Sequence, residues 1–207
     1  SYAKGKYIKY LDADDVIYPR GLEVMVHTME QFPEAALGIS QKVLEDVKPY
    51  PFVMQPKENF KRECLMRGVR GLGPTGTIIR RDVFEKLGGF TGTRYIGDTE
   101  LWYKLALAYP VVKMEDDLIF WRQHDDQEIT KGQESFFYLE NAFKLKLNTL
   151  NNKEFPLTAQ ERKVALKKLN KRFSRNIARL ILKGHIVLAN TIRKSCGISW
   201  IKIIKAL

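Results

Sequence analysis

Cysteine is scarce in this chain: Cys64 and Cys196 are the only two in 207 residues. Their wide separation matches neither a disulfide framework nor a zinc-ligand spacing, which points to a reducing, cytoplasmic setting. Long apolar runs are missing too, and none approaches the roughly 18–20 residues that cross a bilayer. The chain has no internal repeat and no low-complexity tract, so repeat architectures are excluded. Acidic residues almost vanish toward the C-terminus, where residues 156–207 carry 13 Lys and Arg against Glu161 alone. Residues 1–155 hold 22 Lys and Arg against 23 Asp and Glu, so the whole net charge of +11 belongs to the tail. No nucleic-acid reading motif accompanies that charge, and nucleic acid is not expected as a partner.

What is present fits a globular protein, with 44% hydrophobic and 11% aromatic residues available for a core. The length suits one domain with an appendage. Pro19 fits the first turn of a helix that runs to about Gln31 and is ended by Pro33. Residues 35–43 read as a strand, and residues 46–58, with Pro49, Pro51 and Pro56, as a surface loop. A short helix is expected over 59–67 and a strand over 77–80. Asp82 is placed to cap a helix over 83–87, which Gly88-Gly89 would end in left-handed conformation. Asp98 opens a helix with apolar spacing at Leu101, Trp102, Leu105 and Ala108, and Pro110 stops it. Strands over 111–114 and 118–121 follow, then helices near 133–149, 158–183, 185–194 and 198–206.

The densest chemical signal is Lys6-Tyr-Ile-Lys-Tyr-Leu-Asp-Ala-Asp-Asp15, an apolar run ending in Asp12, Asp14 and Asp15. Open α/β sheets place ligand sites at the carboxyl ends of their strands. One or two such carboxylates, with water and substrate phosphates, are the usual seat of Mg²⁺ or Mn²⁺. An EF-hand is excluded because Ile17 stands where the calcium loop needs Gly. Two other readings fit these residues alone: a solvated turn after a strand, or a phosphatase of the haloacid dehalogenase type with Asp12 as nucleophile.

Further motifs follow in order: Arg80-Arg81 with Phe84, Leu87-Gly-Gly-Phe90, Tyr95-Ile-Gly-Asp98-Thr-Glu-Leu-Trp102, and Trp121-Arg-Gln-His124. Together with Ala3-Lys-Gly-Lys-Tyr-Ile8 and Leu11 to Asp15, this set resembles the inverting glycosyltransferases of family 2, over roughly residues 1–130. The resemblance implies the second half of a GT-A fold, an α/β mixed sheet flanked by helices. It implies a metal-assisted hexosyl transfer from a nucleotide-diphosphate sugar to a glycan or lipid-linked acceptor. Asp12 and Asp14 would meet the donor, with Arg122 on its diphosphate. The metal, Mg²⁺ or Mn²⁺, would be held by Asp14, Asp12, Asp15 and His124. Asp98 aligns with the catalytic base, with Gly97 where the family usually has Glu. Glu100 and Trp102 would lie on the acceptor side. The segment Gly73-Pro-Thr-Gly-Thr77 resembles the loop that lines the donor-sugar pocket.

The expected division is a partial catalytic domain over 1–130 and a basic helical tail over 131–207. The family's nucleotide-binding first half would precede the aspartates by about 80–90 residues in the resemblance, so the chain reads as a carboxy-terminal portion that is inactive alone. In the tail, Val164, Leu166, Leu169, Phe173, Ile177, Leu180 and Ile181 make one apolar stripe among Lys and Arg. That stripe either packs on the catalytic body or helps 156–207 meet an anionic membrane surface. The corresponding expectation is a cytoplasmic protein, peripheral on the inner face of the cell membrane, in bacterial surface-polysaccharide assembly. A non-catalytic membrane-association module is the remaining alternative.

Overall fold

The computed structural model describes residues 3–40, 48–66, 73–122, 124 and 136–205. The chain forms two compact units, Ser1–Gln127 and Glu128–Leu207. In the first, strands β1 (Tyr7–Ile8), β3 (Leu37–Ser40), β4 (Phe52–Met54), β5 (Thr77–Arg80) and β6 (Val111–Met114) make one sheet in the order β1-β5-β3-β6-β4. Only β3 and β6 run parallel, and the other neighbours are antiparallel. Helices α1 (Gly21–Gln31), α2 (Pro56–Leu65), α3 (Arg81–Lys86) and α4 (Gly97–Ala108) flank it. This mixed α/β layout, followed by a helical C-terminal region, is consistent with the expected GT-A class.

The core of this unit follows from the pattern. Buried Met25 and Met29 from α1 meet Ile78, Val112 and Met114 from the sheet. Strands β3 and β6 are buried along their length, as expected for central strands covered on both faces. The loop expected over 46–58 is corrected: β4 and the first turn of α2 lie there. β4 pairs only with β6, and an edge strand tolerates the adjacent Pro51. Pro56 occupies the first turn of α2, where its missing N–H costs nothing. The helix expected from residue 59 therefore begins earlier, and residue 67 lies outside the described residues. The strand expected over 35–43 is seen as Leu37–Ser40, with 41–43 outside the described residues.

Asp82 does not cap α3. It lies inside the first turn and forms a two-pronged ion pair with Arg80, both contacts at 2.8 Å. Gly88 and Gly89 do end that helix with φ of 79° and 62°. A Cβ on Gly89 would come within 2.8 Å of Phe84 Cζ, so close approach as well as backbone hand requires glycine there. The turn delivers Phe90 into an aromatic cluster: its ring lies 5.1 Å from Tyr10, 5.7 Å from Phe84 and 6.2 Å from Trp102.

The second unit holds α5 (Phe137–Asn151), α6 (Ala159–Leu182), α7 (Ile186–Ser195) and α8 (Trp200–Ile204). Thr158 and Glu161 form a reciprocal capping box at the start of α6. The α6 stripe is used within this unit. Phe173 stacks on Phe143 of α5 at 4.0 Å, and Ile177 and Leu180 meet Ala189, Ile192 and Ile203 in one core. Val164 is exposed, and half-buried Leu166 is not part of that core. Among the described residues no helix is long and apolar enough to cross a membrane.

Gly88→Ala and Gly89→Ala separate backbone hand from crowding. Each forces a side chain into positive φ, at about 1 kcal/mol or more. Only Gly89→Ala adds a clash with Phe84, so urea denaturation should show the larger loss for it. Equal losses would refute the packing role assigned to the Gly89–Phe84 contact.

Candidate functional site

A two-stranded antiparallel ribbon stands apart from the main sheet: β2 (Val16–Ile17) pairs with β7 (Ile119–Phe120). Ile17 lies opposite Ile119, which packs toward the core, and Val16 lies opposite Phe120 on the exposed side. A ribbon this short is not stable by itself. It is pinned by Tyr18 N–H donating to Leu118 O at 3.2 Å and by the entry to α1, where Gly21 approaches the same carbonyl closely. A Cβ on Gly21 would overlap Leu118 O, so only glycine lets α1 start against the ribbon.

This pairing joins residues more than a hundred positions apart. Asp15 is buried, and its Oδ1 accepts the Arg122 N–H at 3.0 Å. Arg122 Nε donates to Asp14 O at 2.8 Å. His124 Nε2 lies 2.7 Å from Asp14 Oδ2. Asp12 is tied in from a third side: its N–H donates to Thr75 Oγ1 at 3.1 Å, from the 3-10 turn Pro74–Gly76. Thus Asp12, Asp14, Asp15, Arg122 and His124 come together, along with part of the Gly73–Thr77 segment.

Sequence reasoning missed Lys9. Its Nζ donates to Tyr10 O at 2.6 Å and to Thr75 O, clamping the strand end to the Pro74–Gly76 turn. Burial lowers its pKa to about 8, against the opposing pull of Asp12 and Asp15. The available signal was a lone lysine inside the apolar run before the aspartates.

The electrostatics separate the three carboxylates. Desolvation, then Asp15 and Asp14, push the Asp12 carboxyl above its ordinary value. The His124 hydrogen bond, first among several causes, holds Asp14 below it. Asp15 acts as a clasp whose Oδ1 is committed to the ribbon, while its buried Oδ2 makes no hydrogen bond among the described residues. Carboxylates crowded against one another, an imidazole beside one of them and an orphaned buried oxygen fit a divalent cation that prefers oxygen and nitrogen donors. Among the described residues, however, no three His, Cys, Asp or Glu side chains converge as a ready ligand group. The protein would offer Asp14 and His124, with water and phosphate oxygens completing the shell.

Asp98, Glu100 and Trp102 lie on α4. Asp98 sits inside the first turn rather than at the cap, which is Ile96, and its Oδ1 accepts from Thr99 N–H and Thr99 Oγ1. Glu100 Oε2 accepts from Thr91 Oγ1 and, at 3.1 Å, from Thr93 Oγ1, while Lys104 pairs with Oε1 at 3.4 Å. Desolvation would raise the Glu100 pKa, but these threonine and lysine contacts hold it below the ordinary value. Glu100 therefore organises the loop after Phe90. The acceptor-side expectation for Trp102 is corrected. At 1% exposure it is a core residue against Phe90, presenting no face to a sugar. Ala108, expected on the apolar side of α4, is exposed.

The ends of the sequence-expected site thus have a shared framework. Tyr10 leads into the aspartates, Phe90 packs on Tyr10, and Trp102 of α4 packs on Phe90.

Residues 1–88 match the family model described as glycosyl transferase family 2. The match supports a glycosyltransferase over that part of the chain and does not favour the phosphatase alternative. It covers Asp12, Asp14, Asp15 and the segment through Gly88, and it ends before Asp98, Arg122 and His124. No curated protein matches the chain.

Two substitutions test this arrangement. Asp15→Ala should cost about 1–3 kcal/mol by removing a buried charge-assisted acceptor, and the Arg122 amide should exchange with solvent much faster; unchanged exchange would refute the clasp. Asp12→Asn should instead stabilise. Because the folded pKa of Asp12 is raised, stability falls as pH rises through the carboxylate range, and the penalty is complete by neutral pH. The gain at pH 7 should stay below about 1 kcal/mol, since Asp12 is exposed and screened. In thermal melts it should disappear below the ordinary carboxylate range.

Proposed function

We propose that this chain carries the donor-diphosphate part of a family 2 glycosyltransferase site. The reaction is transfer of a hexosyl group from a nucleotide-diphosphate sugar to a hydroxyl of a glycan or lipid-linked glycan, with inversion. The observation that carries this reading is the junction of Asp14 with Arg122 and His124 across the β2–β7 ribbon, combined with the family match over residues 1–88.

Asp12 and Asp14 face the donor's ribose and diphosphate, and the Arg122 guanidinium gives the diphosphate a fixed cationic partner. Asp14 and His124, with Asp12 beside them, are the residues to hold Mg²⁺ or Mn²⁺. Asp15 takes part through its hold on the ribbon. A cation held there would neutralise the charge that builds on the departing nucleoside diphosphate. Asp98 is the base. It takes the proton from the acceptor hydroxyl as that oxygen attacks the anomeric carbon, and the bond to the diphosphate breaks on the opposite face. One carboxylate is sufficient for such a displacement. Glu100 shapes the acceptor side by holding Thr91 and Thr93.

The catalytic part is residues 1–130 and the appendage is residues 131–207. The site of action is the cytoplasmic face of a bacterial cell membrane, peripheral to it, in the assembly of surface polysaccharide. This assignment of place and pathway follows from the family alone.

The test, run on the enzyme at its full natural length, is nucleoside diphosphate release from a panel of nucleotide sugars with Mg²⁺ or Mn²⁺, with donor affinity measured in parallel. Asp98→Asn should lower kcat by about 10²–10⁴-fold while leaving donor Kd nearly unchanged. Asp14→Asn should weaken Mn²⁺ binding, read directly by electron paramagnetic resonance. Wild-type turnover in Asp98→Asn would remove the base assignment. Failure of every nucleotide sugar to bind or turn over would remove the transfer reading itself.

A further inference from the structure

The helical unit leaves large apolar side chains in water at two places. At the turn from α6 to α7, Leu182 and Val187 are 80% and 82% exposed, with Ile186 beside them. On α8, Ile204 is 69% exposed, and Trp200 and Ile201 are exposed with it. Spacing makes the α8 group one face, because positions i, i+1 and i+4 share a side of a helix. Ile203 points the other way, into the unit's own core, as do Ala189 and Ile192 of α7. The exposed residues are therefore not core side chains awaiting burial within the unit.

Basic groups rim both places. Lys183 follows Leu182, and Lys205 lies beside the α8 apolar face, while Lys202 turns away from it. Arg193 holds α8 in position: its guanidinium lies 4.6 Å above the Trp200 ring, and Nη1 donates to Ile198 O at 2.8 Å. Trp200 is thereby presented with a cation at its face. Across residues 156–207 the single acid is Glu161, at the far end of α6, where the capping box occupies it.

We infer that the exposed face of α8 docks on an anionic lipid bilayer, with Trp200, Ile201 and Ile204 entering the headgroup–acyl boundary and the unit's lysines on lipid phosphates. Charge decides among the occupants. A second copy would bring the same concentrated positive charge against itself, and like charges oppose that contact. Nucleic acid would reward the charge but leave the apolar side chains in water. An anionic bilayer satisfies both features, through apolar insertion and headgroup attraction together. A spanning mode is not available to the described helices. This docking goes beyond the proposed transfer chemistry and does not depend on it. It would bring the chain to a lipid-linked acceptor.

The experiment is vesicle co-sedimentation of the 207-residue chain with phosphatidylcholine alone and with phosphatidylcholine–phosphatidylglycerol mixtures. The chain should sediment with the anionic vesicles, release as salt is raised, and leave the neutral ones unbound. Ile201→Glu with Ile204→Glu should lower the partition coefficient about tenfold or more, through lost apolar insertion together with repulsion of the added charges by anionic headgroups. Both residues are exposed, so circular dichroism should be unchanged. Ile201→Gln with Ile204→Gln provides a second, uncharged test of the same face and should also weaken binding. Absence of binding to anionic vesicles would overturn the inference. So would equal binding of the wild type and both double variants, which would indicate bulk charge only. Lipid-free dimerisation abolished by Ile201→Glu with Ile204→Glu would assign the face to self-association and overturn it as well. None of these outcomes changes nucleoside diphosphate release in solution, so the docking and the transfer reading fail separately.

Discussion

The antiparallel pairing of Val16–Ile17 with Ile119–Phe120 is the constraint on which the candidate site depends. It is a small structure, two residues on each side, and would not persist alone. Its stability comes from what surrounds it: Ile119 against the core, Leu118 O shared between Tyr18 N–H and the close approach of Gly21, and the Asp15 carboxylate on Arg122 N–H. Through it, a loop near the beginning of the chain and the segment after β7 become one site. Without it Asp14 would have neither Arg122 nor His124, and the aspartate cluster would be an exposed acidic turn.

Asp15 has a structural use distinct from the positions of Asp12 and Asp14. Its buried carboxylate extends the ribbon's hydrogen bonding, continuing the ladder with a side chain. Asp14, one position earlier, keeps its carboxylate toward His124 while its backbone carbonyl accepts from Arg122. Asp14 lies in the turn closed by Asp15 N–H on Asp12 O at 3.0 Å, whereas Asp15 leads into β2, and this change of backbone course parts the two carboxylates. The like-charge cost of the cluster falls on Asp12, whose carboxyl is pushed up by desolvation and by its two neighbours.

Much of the fold was legible because its signals were local. Gly88-Gly89 announced a left-handed helix end, Pro110 a helix stop, and the spacing on α6 a buried stripe. The misreadings came from tertiary context. Three prolines over 46–58 look like a loop, but an edge strand with one partner and the first turn of a helix both accept proline. Asp82 looked like a cap until Arg80 competed for its carboxylate. Trp102 lies on a helix beside acidic residues, yet Phe90 and the core enclose it. At the site, residue types were readable from the ordered motifs, whereas Lys9 was not. No spacing rule links a lysine in an apolar run to the carbonyl of Thr75, 66 positions later.

Lys9 also shows how the aspartate cluster holds its negative charge. Its amine is fixed by two carbonyls, of Tyr10 and Thr75, and not by a direct carboxylate bond. Asp12 and Asp15 act on it through space, favouring its charged form while burial favours the neutral one. A direct ion pair would have engaged a carboxylate oxygen of Asp12 or Asp15. A cation held a little apart tempers the repulsion and leaves the oxygens available. The same amine fixes the Pro74–Gly76 turn against the strand end, and Thr75 of that turn receives Asp12 N–H. Charge compensation and loop position are thus set by one side chain, whose hydrogen bonds go to two backbone carbonyls and to no carboxylate oxygen.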